Sequence, residues 1–164
     1  MKIEFIGLDR LYDDFSWRIT RRAKAVWKSG NMVIGRHVPT SEVAQLETSI
    51  AKYTKREYAV AVGSGTDALY FALKTKGIGP GKTVLCPAIS FMATAEAVKR
   101  TGANIEFIDI DENGQIGLLT PTNKVDAVVY VNLFGNLANY DELKKFCEER
   151  NCLLYTSPSP RDRG

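Results

Sequence analysis

The 164-residue chain has no apolar run long enough to cross a bilayer, and its opening Met1-Lys2-Ile3-Glu4 lacks a signal-peptide core. Cysteine is scarce: Cys86, Cys147 and Cys152 form no CxxC pair, so neither a disulfide framework nor a metal site is expected. An excess of one charge is also lacking. With 22 basic and 19 acidic residues the formal charge is only +3, too small and too evenly spread to point to nucleic acid. There is no internal repeat. The expectation is a cytoplasmic protein with ordinary reduced thiols, no metal, no nucleic-acid partner and no membrane partner.

What is present is an ordinary globular composition, 45% hydrophobic and 25% charged, in a chain long enough for one domain core. Apolar spacing predicts a helix over Tyr12–Lys28, with Phe15, Ile19, Ala23 and Val26 down one side. Asp13 and Asp14 suit its start, and Ser29-Gly30 stops it. Ser41 is placed to cap a second helix on which Val43, Leu46 and Ile50 share a face.

From Tyr58 the pattern changes to short apolar runs alternating with helical stretches. Tyr58–Val62 reads as a strand covered on both faces. A helix over Asp67–Lys76 follows, with Leu69, Ala72 and Leu73 inward and Gly77 as its stop. Then come strand Thr83–Pro87, helix Ala93–Arg100 ended by Gly102, and strand Ile105–Ile110. The turn-rich Asp111–Gly114 precedes another buried strand, Ala127–Val131. Asn139 with Glu142 reads as a cap for a helix carrying Leu143, Phe146 and Cys147. This alternation implies an α/β fold, a mostly parallel sheet with helices on both faces.

After Asn151 another strand is due, and Leu153-Leu154 begins one. Thr156-Ser-Pro-Ser-Pro160 then argues against regular structure, because two prolines remove donors and fix φ. Cys152 through Asp162 is also the in-frame translation of a string similar to the adaptor used in transposase-based library preparation. The expectation is therefore a non-native tail over 152–164, with the natural protein continuing differently beyond Asn151.

Two stretches carry chemistry. Gly63-Ser64-Gly65-Thr66-Asp67 lies where a strand should hand over to a helix. Glycines there leave backbone N–H groups open, the helix terminus adds partial positive charge, and Ser64 and Thr66 add hydroxyls: a phosphate-sized anion site. It is not a Walker loop, since no Gly-Lys-Ser/Thr follows, and taken alone it is equally well only a turn. Phe91 follows the strand ending at Pro87, on the edge where α/β sheets collect ligands, and an aromatic there can lie against a heterocycle. A lone Phe is more often core.

Taken together and in order, Ser29-Gly-Asn-Met-Val-Ile-Gly35, Ala61-Val-Gly-Ser-Gly-Thr-Asp-Ala-Leu69, Gly77-Ile-Gly-Pro-Gly81, Pro87-Ala-Ile-Ser-Phe-Met-Ala-Thr-Ala95, Phe107-Ile-Asp-Ile-Asp111 and Val131-Asn-Leu-Phe-Gly135 carry a resemblance. The chain from Gly35 through Asn151 resembles the N-terminal part of the DegT/StrS family of nucleotide-sugar aminotransferases, which use pyridoxal phosphate on the fold type I scaffold. The resemblance implies a helical arm over 1–34 and an incomplete fold type I large domain over 35–151. It further implies that Thr66 and the backbone at Asp67 hold the cofactor phosphate, that Gly65 permits the approach, and that Phe91 stacks on the pyridine ring. Asn132 and Asn136 stand where family members often have His and Gln. The Asp that pairs the pyridine nitrogen and the Lys that bonds the cofactor are expected beyond residue 151, so no catalytic residue is assigned within the chain. Lys74, Lys76 and Lys82 are read as solvated surface charge.

The implied activity of the complete protein is transfer of an amino group, from glutamate, to a nucleotide-linked keto sugar, by a homodimer to which Trp17 and Trp27 contribute. Two alternatives stand beside it: a dehydratase of the same family, with His in place of the Lys, and a phosphate-binding α/β module without catalysis. By itself the 164-residue chain is expected to be inactive and poorly stable, with apolar faces of Tyr58–Val62 or Ala127–Val131 meeting water.

Overall fold

Four five-residue strands, each rich in apolar or β-branched side chains, form the sheet: β1 (Thr83–Pro87), β2 (Asn104–Ile108), β3 (Ala127–Val131) and β4 (Leu153–Ser157). Their order is β2-β1-β3-β4 and every pairing is parallel. The computed structural model describes residues 8–30 and 41–157 apart from 118, 123 and 138. Two compact units divide between Ala61 and Val62, and the sheet lies in the second.

Successive side chains of a strand point to opposite faces, so wholly apolar strands need cover on both sides. Val84 and Cys86 of β1 join Ala127 and Val129 of β3 against α3 (Gly65–Thr75) and α4 (Ala93–Thr101), through Leu73 and Val98. Leu85, Val128 and Tyr130 point the other way, onto Leu143, Phe146 and Cys147 of α5 (Tyr140–Arg150). The expected doubly covered parallel sheet is therefore present.

The helix boundaries follow local chemistry. Ser64 caps α3, its Oγ accepting the Asp67 N–H at 3.1 Å. Asn139 and Glu142 cap α5 reciprocally: the Glu142 N–H donates to Asn139 Oδ1 at 3.3 Å, and Asn139 Nδ2 donates to Glu142 Oε2 at 3.1 Å. Gly102 ends α4 with φ 85°. A side chain there would be strained by that φ and would meet the Pro80 ring at 3.1 Å.

Four expectations need correction. Tyr58–Val62 forms no strand; Tyr58 and Val60 are exposed, at 70% and 63%. A strand exists only where a neighbour supplies a ladder, and none of the described strands pairs with this segment. Of the two apolar runs expected to meet water, Tyr58–Val62 does so, while Ala127–Val131 is flanked by β1 and β4 and is buried from Ala127 to Tyr130. The second edge strand ends at Ile108 rather than Ile110, because Ile110 turns away to bridge Ile116 in antiparallel fashion. Beyond Leu154, pairing to β3 continues through Thr156 and Ser157, both of which still have an N–H; the prolines begin only at 158.

In the first unit, α1 spans Leu8–Ser29, starting four residues earlier than the spacing predicts, so Asp9 rather than Asp13 or Asp14 occupies its first turn. Phe15 and Ile19 on its apolar side are exposed, while Val26 is half-buried. The helix α2 (Glu42–Tyr53) is capped by Ser41, whose Oγ accepts the Ala44 N–H at 3.2 Å. Its Val43, Leu46 and Ile50 are exposed; the residues it buries are Glu47 and Ala51. The Glu47 carboxylate turns inward to accept the Ala61 N–H at 2.8 Å. None of the described helices is long and apolar enough to cross a membrane.

Candidate active site

The chain runs from β1 to β2 on one side and then returns to β3 on the other, so the strand order reverses between β1 and β3. In open α/β sheets the crevice at such a reversal, at the carboxyl ends of the strands, is where ligands bind. Ala88–Met92 follows β1 there and Asn132 follows β3. The helix α3 enters β1 through the short Lys76–Lys82 connection, so it runs against the strands and its N-terminus also lies at the carboxyl edge. Topology thus brings Gly63–Asp67 and Phe91 to one edge.

At the start of α3, the N–H groups of Gly65 and Thr66 have no acceptor among the described residues. A Cβ built on Gly65 would meet nothing within 4 Å, so the loop is open on that side. Two backbone donors, the Thr66 hydroxyl and the positive end of an 11-residue helix suit a phosphate. The Asp67 N–H is already bonded to Ser64 Oγ. Ser64 accepts in that bond, and its hydroxyl also helps to hold the Asp67 carboxyl below its ordinary value, after Arg100.

Phe91 is 76% exposed and Met92 75%, so neither belongs to the core formed by the described residues. Behind them, Ser90 Oγ and Thr94 Oγ1 are 2.8 Å apart, tying the loop to the first turn of α4. Asn132 precedes a 3-10 turn (Leu133–Gly135) and is half-buried. Asn136 Nδ2 donates to the Asn113 carbonyl at 3.1 Å, linking the loop after β3 to the turn at Asp111–Gly114. Of the three lysines, Lys82 is engaged by Asp126, Nζ to Oδ1 at 2.9 Å.

Two features escape the sequence. Arg100, in the last turn of α4, donates to Asp67 Oδ1 at 2.8 Å, with its guanidinium 4.6 Å from the centre of the Tyr70 ring. This bond is the main cause that holds the Asp67 carboxyl below its ordinary value. The second is a cleft of about 600 Å³ lined by Asp111, Asn113, Gln115, Asn136 and Glu142 among others; it includes none of Gly65, Thr66, Asp67 or Phe91. The buried Gln115 carboxamide has no hydrogen-bond partner among the described residues. A one-sequence reading has no signal for either, since the partners come from distant segments.

Comparison with known proteins agrees with this fold. The chain is 30% identical over 146 residues to a UDP-2-acetamido-2-deoxy-3-oxo-D-glucuronate aminotransferase of Pseudomonas aeruginosa, covering 86% of this chain and 39% of that protein. It superposes on DesV of S. venezuelae, solved with a ketimine intermediate, with TM-score 0.85 and 28% identity over 94% of this chain and 42% of that one. It also superposes on a GDP-4-keto-6-deoxymannose-3-dehydratase holding a trapped PLP-glutamate geminal diamine, with TM-score 0.61 and 29% identity, over 70% and 32% of the two chains. The chain spans about two fifths of the length of the first two of these. The profile of the DegT/DnrJ/EryC1/StrS aminotransferase family matches residues 16–156, and the chain belongs to that family.

Proposed function

We propose that this chain supplies the phosphate cradle and the ring-stacking platform of a pyridoxal-phosphate-dependent enzyme that moves an amino group from glutamate to a nucleotide-linked keto sugar. The observation that carries the reading is the pair of open N–H groups at Gly65 and Thr66, on the same sheet edge as the exposed Phe91. When bound, the cofactor acts as an electron sink for the carbon that loses or gains nitrogen. The protein's part lies in binding and orientation. The N–H groups of Gly65 and Thr66 and the Thr66 hydroxyl hold the phosphate, Phe91 covers one face of the ring, and the Asp67 N–H, expected to join them, is kept by Ser64 Oγ. The amino-group chemistry itself needs a lysine and a ring-nitrogen partner, which this reading does not place among residues 1–151. The 164-residue chain alone is therefore proposed to have no turnover.

The relatives named above include both an aminotransferase and a dehydratase, so sugar deoxygenation at the same cradle is the second reading. We further propose a cytoplasmic homodimer, with Trp17 and Trp27, 58% and 69% exposed on α1, as interface candidates. The test uses the protein at its full genomic length with pyridoxal phosphate, glutamate and a panel of nucleotide-linked keto sugars. Formation of 2-oxoglutarate together with an amino sugar is expected. A deoxygenated sugar with no net amino transfer would favour the second reading, and no reaction with a cofactor-free protein would overturn both.

A further inference from the structure

We infer that Arg100 is a positioning residue for the cofactor phosphate: it holds the Asp67 carboxylate to one side of the cradle and cancels its charge. The inference rests on the cofactor reading above, and concerns how an anion is tolerated next to a carboxylate.

Asp67 is the third residue of α3. An acidic side chain in the first turn favours the helix itself, because it faces the positive end of the dipole. That is also where the phosphate is to sit, so an uncompensated carboxylate would repel it. The carboxylate lies close to the loop: a Cβ built on Gly63 would come within 3.3 Å of Asp67 Oδ2. Its other oxygen, Oδ1, is taken by Arg100 at 2.8 Å.

Arg100 is itself oriented. Its guanidinium lies over Tyr70, one turn along α3 from Asp67, at 4.6 Å from the ring centre. A planar cation stacked on an aromatic ring keeps its hydrogen-bonding edge in a fixed direction, which a lysine ammonium does not. The ion pair is partly exposed, with side-chain accessibilities of 42% and 31%, so it contributes little to folding stability. Its consequence is local: the charge beside the open N–H groups of Gly65 and Thr66 is neutralised by a residue 33 positions away in sequence.

The experiment measures dissociation constants of the whole chain for pyridoxal phosphate and for pyridoxal, which lacks the phosphate, at low and physiological ionic strength. Wild type is expected to prefer the phosphorylated form. Arg100→Gln should weaken pyridoxal phosphate binding about tenfold and leave pyridoxal unchanged, with the loss shrinking as salt rises. Arg100→Gln/Asp67→Asn should recover most of that loss, and Asp67→Asn alone should bind pyridoxal phosphate at least as tightly as wild type. The last variant needs no Arg100 substitution, so it stands even if Arg100→Gln fails to fold. Equal losses for both ligands, a double variant no better than the single, or weaker binding by Asp67→Asn would overturn the role of Arg100. A wild type indifferent to the phosphate would overturn the cradle, and this inference with it.

Discussion

Asp126, just ahead of β3, receives two hydrogen bonds from the start of β1: Lys82 Nζ reaches Oδ1 at 2.9 Å and the Thr83 N–H reaches Oδ2 at 2.9 Å. One carboxylate thus joins the entries of two neighbouring strands, β1 and β3, whose ladder contains only the Val84–Ala127 and Leu85–Val128 pairs.

Replacing Asp126 with Ala removes both acceptors and leaves the Thr83 N–H unpaired in a half-buried position. The expected loss is about 1–3 kcal/mol in urea unfolding. Asp126→Asn keeps an acceptor for Thr83 and gives up the charge, so its loss should be the smaller. Equal losses would show that the charge, rather than the Thr83 bond, is what matters.

Stability should fall at both ends of the pH scale. The Lys82 hydrogen bond, then the Thr83 N–H, hold the Asp126 carboxyl below its ordinary value. The Gln115 and Asn113 N–H groups do the same for Asp111. Both contribute stability that is present above the ordinary carboxylate range and lost as pH falls below about 4. At the alkaline end, burial pushes the Cys86 thiol up to about 12, against an ordinary value of 9.0. Its stabilisation is complete below about pH 9 and is lost as pH rises towards 12. The cost of Cys86→Ala should therefore be smaller at pH 10 than at pH 7, by on the order of 1 kcal/mol. Denaturant midpoints of the two proteins at both values check this.

Gln115 is 3% exposed, and neither nitrogen nor oxygen of its carboxamide has a hydrogen-bond partner among the described residues. Such a group is costly, and an apolar side chain of similar shape removes the cost. Gln115→Met is expected to raise stability by about 1–2 kcal/mol. A destabilised variant would mean that the amide has an essential partner, such as an ordered water.

Phe91 is almost bare, so truncating it removes little packing from the fold. Phe91→Ala should weaken cofactor retention roughly tenfold, from a stacking loss of about 1.4 kcal/mol. Melting should be unchanged. Unaltered cofactor affinity would mean that the ring does not meet the cofactor.

The sequence made β1, β3 and α5 legible because their signals are local. Thr83–Pro87 and Ala127–Val131 are apolar on both faces, and Asn139 with Glu142 is a complete cap within one helical turn. Tyr58–Val62 has the same apolar character, but a strand also needs a neighbour, and that information lies elsewhere in the chain. The extension of β4 to Ser157 was hidden by the prolines just after it, whose effect begins only at their own positions. That Gly63–Asp67 leads into a helix and that Phe91 follows β1 could be read, because each signal is local. Arg100 could not, because a salt bridge across 33 residues leaves no periodic trace.

The central claim is that the first N–H groups of α3 receive a phosphate. Backbone amide spectra of the isotopically labelled chain, titrated with pyridoxal phosphate, test it most directly. The expected result is a saturable shift of the Gly65 and Thr66 amides, reproduced in part by inorganic phosphate, with the Phe91 ring protons moving only for the full cofactor. Shifts confined to the Asp111–Glu142 cleft, or amides at Gly65 and Thr66 that stay still while the cofactor binds, would contradict it.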